Sequence, residues 1–295
     1  MAITSEDDSH ARVAIVTVSF GSGGVLSGFL ASVPAASDED LILVVADNKP
    51  DGPSGVAEIS AANGARYLPL PRNAGYGGAM NAAVATLPPS VQWVLISNPD
   101  VVLGSGSVDT LVRAGDEDPA IGALGPSILT TDGAVYPSAR SVPSMRTGVG
   151  HALFANLWVT NPWSRAYRRD TDDAPVRRDA GWLSGACLLV RRSAFDQLGG
   201  FDDGFFMYFE DVDLGYRLGQ AGYRNVYEPA ASVMHSGAHS TKSAAESSRM
   251  VVAHHASARR FLNKKYPGAL LWPVRMSLGL GLRARSILMR GKQHH

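Results

Sequence analysis

The stretch Val91–Asp100, VQWVLISNPD, carries a nearly uninterrupted apolar run that ends abruptly in polar residues. Two similar runs precede it, Val13–Ser19 (VAIVTVS) and Leu41–Ala46 (LILVVA). Runs this short and this rich in β-branched residues are typical of strands that are buried on both faces of a sheet. Helix-like segments lie between them, so the sequence predicts an α/β fold with a mostly parallel central sheet and helices on both faces.

Polar residues mark the ends of the three predicted strands. They are Thr17 and Ser19 in the first run, Asp47-Asn48 after the second, and Asn98-Pro99-Asp100 after the third. The carboxyl ends of parallel strands meet at one edge of a sheet, and ligands of such folds bind beyond that edge. The sequence therefore predicts a binding site there.

The pattern becomes less regular after residue 138. Residues 138–179 are rich in Pro, Arg and Trp and predict a long loop over the site. Regular patterns then return and predict, in order, a strand at Gly181–Arg191, a helix at Asp211–Ala221, short strands at Tyr223–Tyr227 and Ser232–His235, and a helix at Ser247–Tyr266. We divide the chain into a polar tail at residues 1–11, one α/β domain at 12–246 and a basic amphipathic helical extension at 247–295.

Composition excludes several classes of protein. An apolar fraction of 45% and a charged fraction of 18% are typical of globular chains. The 27 cationic and 27 acidic residues balance, so nothing attracts the whole molecule to nucleic acid. A single cysteine, Cys187, excludes a disulfide framework and a cysteine-rich zinc site. No signal core opens the chain and no run reaches the roughly 18 apolar residues of a spanning helix, which predicts a cytoplasmic protein.

The C-terminal end is cationic, because no Asp or Glu follows Glu246. The cations beyond it are Arg249, Arg259, Arg260, Lys264, Lys265, Arg275, Arg283, Arg285, Arg290 and Lys292. Leu270–Met289 mixes Leu, Trp and Met with Arg, as in segments that lie in a membrane interface. The same pattern also fits a helix packed on the domain or a homodimer contact, and its glycines weaken any long helix.

Asp100 and His235 are the candidate metal ligands. A carboxylate at a strand end can hold a hard divalent cation that binds a diphosphate, although Asp100 can also simply cap the next helix. A lone histidine is usually structural, but imidazole is a common ligand once one carboxylate is present. His239, four residues after His235, is a weaker candidate.

Glu210, Asp211 and Asp213 lie in Phe206–Leu214, FMYFEDVDL, at the predicted start of a helix. Acids in a first turn can merely favour the helix N-terminus. Asp211, however, follows an aromatic run, and an apolar wall raises the basicity of a carboxylate enough to accept a proton from a hydroxyl group. One of these acids is therefore a candidate general base.

The segment Arg72–Asn81, RNAGYGGAMN, is a glycine-rich turn before a helix, which can approach a phosphate closely. It lacks the third glycine of the dinucleotide fingerprint, and no acidic residue follows at the right place. An NAD enzyme is therefore disfavoured. Arg72 and the asparagines can instead contact a diphosphate or a sugar.

Together these segments resemble the family 2 glycosyltransferases, which have the GT-A fold. The resemblance covers roughly residues 12–240 and rests on Thr17–Phe20, Asp47-Asn48, the Asn73–Gly77 loop with Asn81, Asn98–Asp100, Glu210–Leu214 and His235. A more specific similarity is to actinobacterial rhamnosyltransferases that act on N-acetylglucosaminyl-diphosphoryl-polyprenol. It rests on Ala123–Pro126, Val135–Arg140, Asn161–Trp163, Gly181–Arg192 and Phe206–Leu214.

The resemblance implies a nucleotide-sugar site and a divalent cation, Mg²⁺ or Mn²⁺. The residues it places on the nucleotide-sugar are Thr17, Ser19, Asp47, Asn48, Arg72, Asn73, Gly75, Asn81 and Asn98. Asp47 would contact the nucleobase. Asp100 would bind the metal; Asn98 stands where the family has a first acid, which makes His235 more important as a ligand.

The resemblance also implies the chemistry and the partners. Asp211 would be the catalytic base, with Glu210 as its rival, and a single base gives one displacement with inversion at the anomeric carbon. The acceptor side would comprise Trp182, Leu183, Ser184, Gly185 and Asp213. The expected donor is dTDP-L-rhamnose and the expected acceptor a polyprenyl-diphosphate-linked sugar, reached at the inner face of the plasma membrane.

Three alternatives stay open at this point. A UDP-sugar could replace the rhamnosyl donor, for another surface polysaccharide. A nucleotidyltransferase would need a basic residue in its first loop, and Phe20–Val25 (FGSGGV) has none. A non-catalytic nucleotide-sugar-binding subunit would not need to keep Asp100, Asp211 and His235 together.

Overall fold

Four parallel strands form the first half of the central sheet in the computed structural model, which describes residues 10–52, 55–144, 176–237, 244–268, 272 and 276. They are β1 (Val13–Ser19), β2 (Leu41–Asp47), β3 (Arg66–Pro69) and β4 (Trp93–Ser97), in the spatial order β3-β2-β1-β4. Every pair among them is parallel, so their carboxyl ends meet at one edge. The predicted parallel arrangement is confirmed in this half.

The second half of the sheet is mixed. Its main strands are β5 (Val101–Leu103), β6 (Ile121–Leu129), β11 (Cys187–Arg191) and β12 (Arg224–His235). Strand β11 lies between β4 and β6 and is antiparallel to both, whereas β6 and β12 are parallel. Short strands complete it: β7 (Val135–Tyr136) beside β6 and β9 (Arg178–Ala180) beside β12.

Two sequence-based assignments in this half are wrong in detail. Gly181–Arg191 is two strands, β10 (Trp182–Leu183) and β11, because the chain turns at Ser184–Ala186, where Cys187 N donates to Ser184 O (3.3 Å). The turn lets β10 leave the main sheet and pair with β8 (Ala139–Arg140). The two short strands predicted around residue 230 are one strand, β12, with a bulge between Glu228 and Ser232.

Helices cover both faces of the sheet. They are α1 (Gly23–Ala36), α2 (Val56–Ala62), α3 (Gly75–Val84), α4 (Ser107–Asp116), α5 (Arg192–Gln197), α6 (Glu210–Gln220) and α7 (Ala244–Lys265). One apolar core joins the sheet to α3, α5 and α6, and a second joins the opposite face to α1, α2 and α4. Burial on both faces explains why the strands read as continuous apolar runs.

Helix α7 packs on the domain instead of standing apart. Phe261 is fully buried against Phe205 and Val212. Two of the C-terminal cations form ion pairs with acids of the domain: Arg260 with Asp202 at 2.8 Å, and Lys264 with Asp202 at 2.7 Å. Apolar burial and charge pairing both fix α7 to the loop before α6. The C-terminal segment from Leu270 otherwise lies outside the described residues, apart from Trp272 and Met276, which are exposed.

No described helix combines the length and the apolar character that crossing a bilayer requires. Residues 1–9 of the predicted tail also lie outside the described part of the chain. So does most of the predicted loop, residues 145–175, which include Asn161–Trp163.

The packing of α7 makes Phe261→Ala a direct test of its attachment. Removing a fully buried phenylalanine ring leaves a cavity, and we expect the free energy of unfolding to fall by about 3–5 kcal/mol. Urea unfolding followed by circular dichroism measures this. Arg259→Ala, at an exposed position of the same helix, is the matched control. An equal effect of the two substitutions would show that α7 is not anchored through Phe261.

Candidate active site

The polar residues at the strand ends lie beneath the edge of the sheet where the binding site is predicted. Thr17, Ser19 and Asp47 are all buried, with exposed fractions of at most 1%. Asp47 accepts hydrogen bonds from Lys49 N (3.0 Å) and from the Tyr67 hydroxyl group (3.1 Å). These residues therefore lie below the surface of the edge, and their contact with a nucleotide-sugar stays a prediction.

A cavity of about 540 Å³ lies at the ends of β2 and β3. Its lining residues are Asn48, Lys49, Pro50, Asp51, Pro69, Leu70, Pro71 and Arg72. Lys49 and Arg72 bring two positive charges to it, and the Lys49 ammonium lies 5.6 Å from the centre of the exposed Phe20 ring. This combination of cations and an aromatic ring suits a nucleoside diphosphate.

Asn48 and Asn81, two asparagines predicted to contact the nucleotide-sugar, form hydrogen bonds within the protein. Asn48 accepts from Ala74 N and donates to Gly75 O, both at 3.0 Å. Asn81 accepts from Phe201 N and donates to Phe201 O, both at 2.9 Å. The Asn48 amide is thus engaged by backbone, although Asn48 also lines the 540 Å³ cavity. The Asn81 amide is engaged by the backbone of Phe201 and by Asp203 Oδ1 (3.0 Å), away from the residues that line that cavity.

The turn at Asn73–Gly75 is fixed by backbone geometry. Asn73 is exposed and accepts from Gly75 N at 2.9 Å. Gly75 has a φ of +75°, and a Cβ atom there would lie 2.2 Å from Phe206 O. Tyr76 N donates to that same Phe206 oxygen at 3.1 Å. Only glycine fits at position 75, because the loop that leads into α6 passes against it.

Asn98, Asp100 and His235 come together where β4 ends. Strand β12 pairs with β5 so that His235 lies opposite Val101, next to Asp100. His235 Nε2 is 3.1 Å from Asp100 Oδ1 and 3.3 Å from Asn98 Nδ2. No cluster of three or more acidic, histidine or cysteine ligands exists in the described residues. One carboxylate oxygen, one imidazole nitrogen and one amide fit a cation that takes its other ligands from a diphosphate and water. His239, the weaker candidate, lies outside the described residues.

A second cavity, of about 390 Å³, begins at this cluster. His235, Ser236 and Gly237 line one side, Ser184 and Ala186 another, and Thr130, Thr131 and Tyr136 the far side. The Ser184–Ala186 turn that separates β10 from β11 therefore forms one wall. Gly185, between these two wall residues, donates its backbone N–H to Asp211.

Asp211 is fixed by backbone donors. Its Oδ2 atom accepts from Gly185 N at 2.9 Å and its Oδ1 atom from Val212 N at 2.8 Å. The Tyr76 hydroxyl group donates to Gly185 O, which fixes the same peptide unit from the other side. Burial raises the pKa of Asp211, and these amide donors oppose that shift by stabilising its charged form.

Glu210 has a different environment although it is the next residue. It is 7% exposed, and its Oε2 atom has no hydrogen-bond partner among the described residues. Burial, together with the neighbouring charge of Asp211, raises the pKa of Glu210 to about 8. Ionising both of two adjacent buried carboxyl groups costs a large free energy, because each charge is desolvated and repels the other. The pair therefore holds one proton near neutral pH. The backbone amides of Gly185 and Val212 donate to Asp211, so Asp211 is the ionised member of the pair and Glu210 the protonated one.

The backbone before these acids is strained. Tyr208 and Phe209 have φ values of 66° and 67°, which are uncommon for residues with side chains. Helix α7 holds this conformation in place: the Ser257 hydroxyl group donates to Met207 O at 2.8 Å, and His254 packs edge-on against both aromatic rings. The loop thus delivers Glu210 and Asp211 to one fixed position at the start of α6.

Two residues predicted on the acceptor side are structural. Asp213 has no exposed surface and pairs with Arg217 Nε (2.6 Å) and Lys264 Nζ (2.7 Å), so it anchors α7 and cannot reach an acceptor. Leu183 is 3% exposed and belongs to the apolar core. Trp182 and Ser184 are half-buried, and Ser184 lines the 390 Å³ cavity, which is consistent with their predicted side of the site.

Some site residues were not singled out from the sequence. Lys49 follows Asp47-Asn48 directly, and Tyr76 lies inside the glycine loop, so a local signal for both existed. Ser257 on α7 touches the Glu210–Asp211 loop from 50 residues away in sequence, and no local pattern indicates that contact.

The fold and this edge define a nucleotide-sugar transferase of the GT-A fold. The structure of mannosyltransferase PcManGT from Pyrobaculum calidifontis with GDP-Man and Mn²⁺ matches 95% of this chain and 75% of its own, with a TM-score of 0.53 and 17% identity. A structure of GalNAc-T7 with UDP, GalNAc and Mn²⁺ matches 93% of this chain and 54% of its own, with a TM-score of 0.55 and 17% identity. At such identities the likeness establishes the fold, as predicted.

Residues 10–252 match the family described as glycosyltransferase like family 2, and the chain belongs to that family. An N-acetylglucosaminyl-diphospho-decaprenol L-rhamnosyltransferase of Mycobacterium tuberculosis is 44% identical over 284 residues, which are 93% of this chain and 92% of that protein. The chain is therefore a glycosyltransferase, and the family predicted from the motifs is confirmed.

The raised pKa of Glu210 predicts a pH-dependent stability. The folded state holds a proton on Glu210 up to about pH 8, whereas the unfolded chain releases it near the ordinary value of 4.5. The folded state thus binds more protons in this window, and stability should fall as pH rises through it, by up to about 1.4 kcal/mol per pH unit. Glu210→Gln should lessen this fall.

Denaturant unfolding of both proteins at several pH values between 5 and 8.5 measures the effect, with the exposed Glu58→Gln as the matched control. A wild-type stability that rises between pH 5 and 8 in parallel with that of Glu210→Gln would contradict a protonated Glu210.

Proposed function

We propose that the protein transfers L-rhamnose from dTDP-L-rhamnose to a hydroxyl group of N-acetylglucosamine carried on a polyprenyl diphosphate, with a divalent cation and with inversion. One observation carries the chemistry: Asp211 is held by the Ser184–Ala186 turn, and Ser184 and Ala186 line the cavity that reaches His235. The turn that holds the candidate base thus also borders the cavity at a candidate metal ligand. The rhamnosyl group and the acceptor are supported by the 44% identity to the mycobacterial N-acetylglucosaminyl-diphospho-decaprenol L-rhamnosyltransferase.

The nucleoside diphosphate of the donor would occupy the 540 Å³ cavity. Lys49 and Arg72, which line it, would offset the negative charge of the phosphates. Asp47 and Phe20 contact Lys49, through its backbone N–H and its ammonium group respectively. Its position beyond the ends of β2 and β3 is where open α/β sheets bind ligands. A UDP-sugar carries the same diphosphate, so these contacts suit both donors. The experiment below distinguishes them.

Asp100 and His235, with Asn98 beside them, would hold the cation. When bound there, a divalent cation stabilises the negative charge that develops on the departing nucleoside diphosphate. The family's usual first acid is Asn98 in this chain, so the site carries one carboxylate and needs the imidazole. The likeness to structures that contain Mn²⁺ supports this assignment.

Asp211 would act as the base. Its amide donors keep it ionised beside a protonated Glu210, so it can remove the proton from the acceptor hydroxyl group. The acceptor oxygen forms a bond to the anomeric carbon while the bond from that carbon to the diphosphate oxygen breaks. The diphosphate leaves with the bonding electrons, and one displacement inverts the anomeric configuration.

A lipid-linked acceptor requires work at a membrane surface, and we place the protein peripherally at the inner face of the plasma membrane. Arg260, Lys264 and Lys265 of α7 already contact the domain. Attraction to anionic lipid would therefore come from the cations after Lys265, next to the exposed Trp272 and Met276.

The test is acceptor-dependent release of nucleoside diphosphate, with dTDP-L-rhamnose or UDP-sugars, with Mg²⁺ or Mn²⁺ and with EDTA. Asp211→Asn should lower the acceptor-dependent rate by about 10²–10⁴-fold, because no carboxylate accepts the proton, while the KM for the donor stays unchanged. Glu210→Gln is the matched control: it mimics the protonated acid and should keep most of the rate.

A larger loss in Glu210→Gln than in Asp211→Asn would assign the base to Glu210. Turnover with a UDP-sugar alone would contradict the rhamnosyl assignment. Tight nucleotide binding without any turnover would favour a non-catalytic subunit.

A further inference from the structure

Arg140, which has no role in the function proposed above, is held in place by neighbouring aromatic side chains. Strand β8 pairs with β10 so that Arg140 lies opposite Trp182. Its guanidinium carbon is 6.0 Å from the Trp182 ring centre and 5.9 Å from the Tyr136 ring centre. The two-stranded sheet of β8 and β10 therefore holds a cation between two aromatic side chains.

The charge of Arg140 has no acidic partner within salt-bridge distance in the described part of the chain. Its described hydrogen bond uses Nε, which donates to Pro137 O at 2.8 Å. By contrast, Arg217 pairs with Asp213, and Arg224 pairs with Asp118 and Asp179. Among the described residues no carboxylate pairs with its terminal nitrogens, and a guanidinium presents a fork of donors that matches a phosphate group.

The location of Arg140 is on the acceptor side of Asp211. Its positive charge is close enough to stabilise the Asp211 carboxylate. Tyr136, which flanks the guanidinium, also lines the 390 Å³ cavity that reaches Ser184 and His235. The donor cavity, with its own cations Lys49 and Arg72, lies at the ends of β2 and β3. Arg140 is therefore separate from the two cations of the donor cavity, Lys49 and Arg72.

We propose that Arg140, held by Tyr136 and Trp182, binds the diphosphate of the lipid-linked acceptor. This inference rests on the proposed function, since it requires an acceptor sugar carried on a diphosphate. A second diphosphate needs its own counter-charge, because the donor diphosphate already engages the cations and the metal site at the strand ends. The aromatic rings hold the guanidinium in place, which lowers the entropy lost on binding.

The test compares acceptors with and without the diphosphate. The probes are N-acetylglucosaminyl-diphosphoryl-polyprenol with a short prenyl chain and an alkyl β-N-acetylglucosaminide. Arg140→Gln should raise the KM for the first about 10–100-fold, as expected for loss of a charge-assisted hydrogen bond, and leave the KM for the second unchanged. The donor KM should stay at its wild-type value, and Arg140→Lys should recover part of the loss.

Arg177→Gln is the matched control, because it removes an exposed arginine that pairs with Glu117 and Glu228 away from this site. Its acceptor KM should equal that of the wild type. If Arg140→Gln raised the donor KM and left the acceptor KM unchanged, the guanidinium would serve the donor diphosphate and the inference would fall. Equal losses with both acceptors would also overturn it.

Calorimetric titration with the diphosphoryl acceptor separates this inference from the proposed function. Binding that weakens in Arg140→Gln, in a protein that turns over no donor, would sustain the inference while the proposed function failed. Binding that is absent from the wild type, or equal in the wild type and Arg140→Gln, would overturn the inference whatever the activity.

Discussion

Burial of two adjacent carboxyl groups, Glu210 and Asp211, at the start of α6 is the constraint on which the site depends. Water cannot stabilise both charges there, so one group keeps its proton and the other needs donors supplied by the protein. The Gly185 amide is such a donor, and it exists in the right place because the chain turns between β10 and β11. The same turn forms a wall of the cavity in which an acceptor would meet the base. One contact thus stabilises the ionised Asp211 and, in the proposed mechanism, also positions the base.

Holding that pair in place requires elements that are distant in sequence. The left-handed backbone at Tyr208 and Phe209 is unfavourable by itself and persists because α3 contacts it on one side and α7 on the other. Helix α7 in turn is fixed by Phe261 and by Lys264, whose charge meets the buried Asp213. The C-terminal helix is therefore part of the catalytic framework, and its first cations serve packing before any membrane contact.

Much of the fold follows from local patterns, because strands buried on both faces and the polar residues after them are visible in the sequence. The edge of the sheet, the Asp100–His235 pair and the Glu210–Asp211 pair were predictable on that basis. The placement of β11 between β4 and β6 was not, since strand order depends on contacts distant in sequence. Asn48, Asn81 and Asp213 were assigned to ligands because polar residues in a motif suggest binding. Their partners are backbone groups or cations brought close by folding, 120 residues away in the case of Asn81.

The central claim is that the edge of the sheet binds a metal–nucleoside diphosphate complex beside Asp211. Anomalous diffraction from crystals grown with dTDP and Mn²⁺ tests it most directly. The account predicts one manganese peak within coordinating distance of the Asp100 carboxylate and His235 Nε2, with the nucleotide in the cavity lined by Lys49 and Arg72. A nucleotide bound elsewhere, or a manganese ion that coordinates neither Asp100 nor His235, would contradict it.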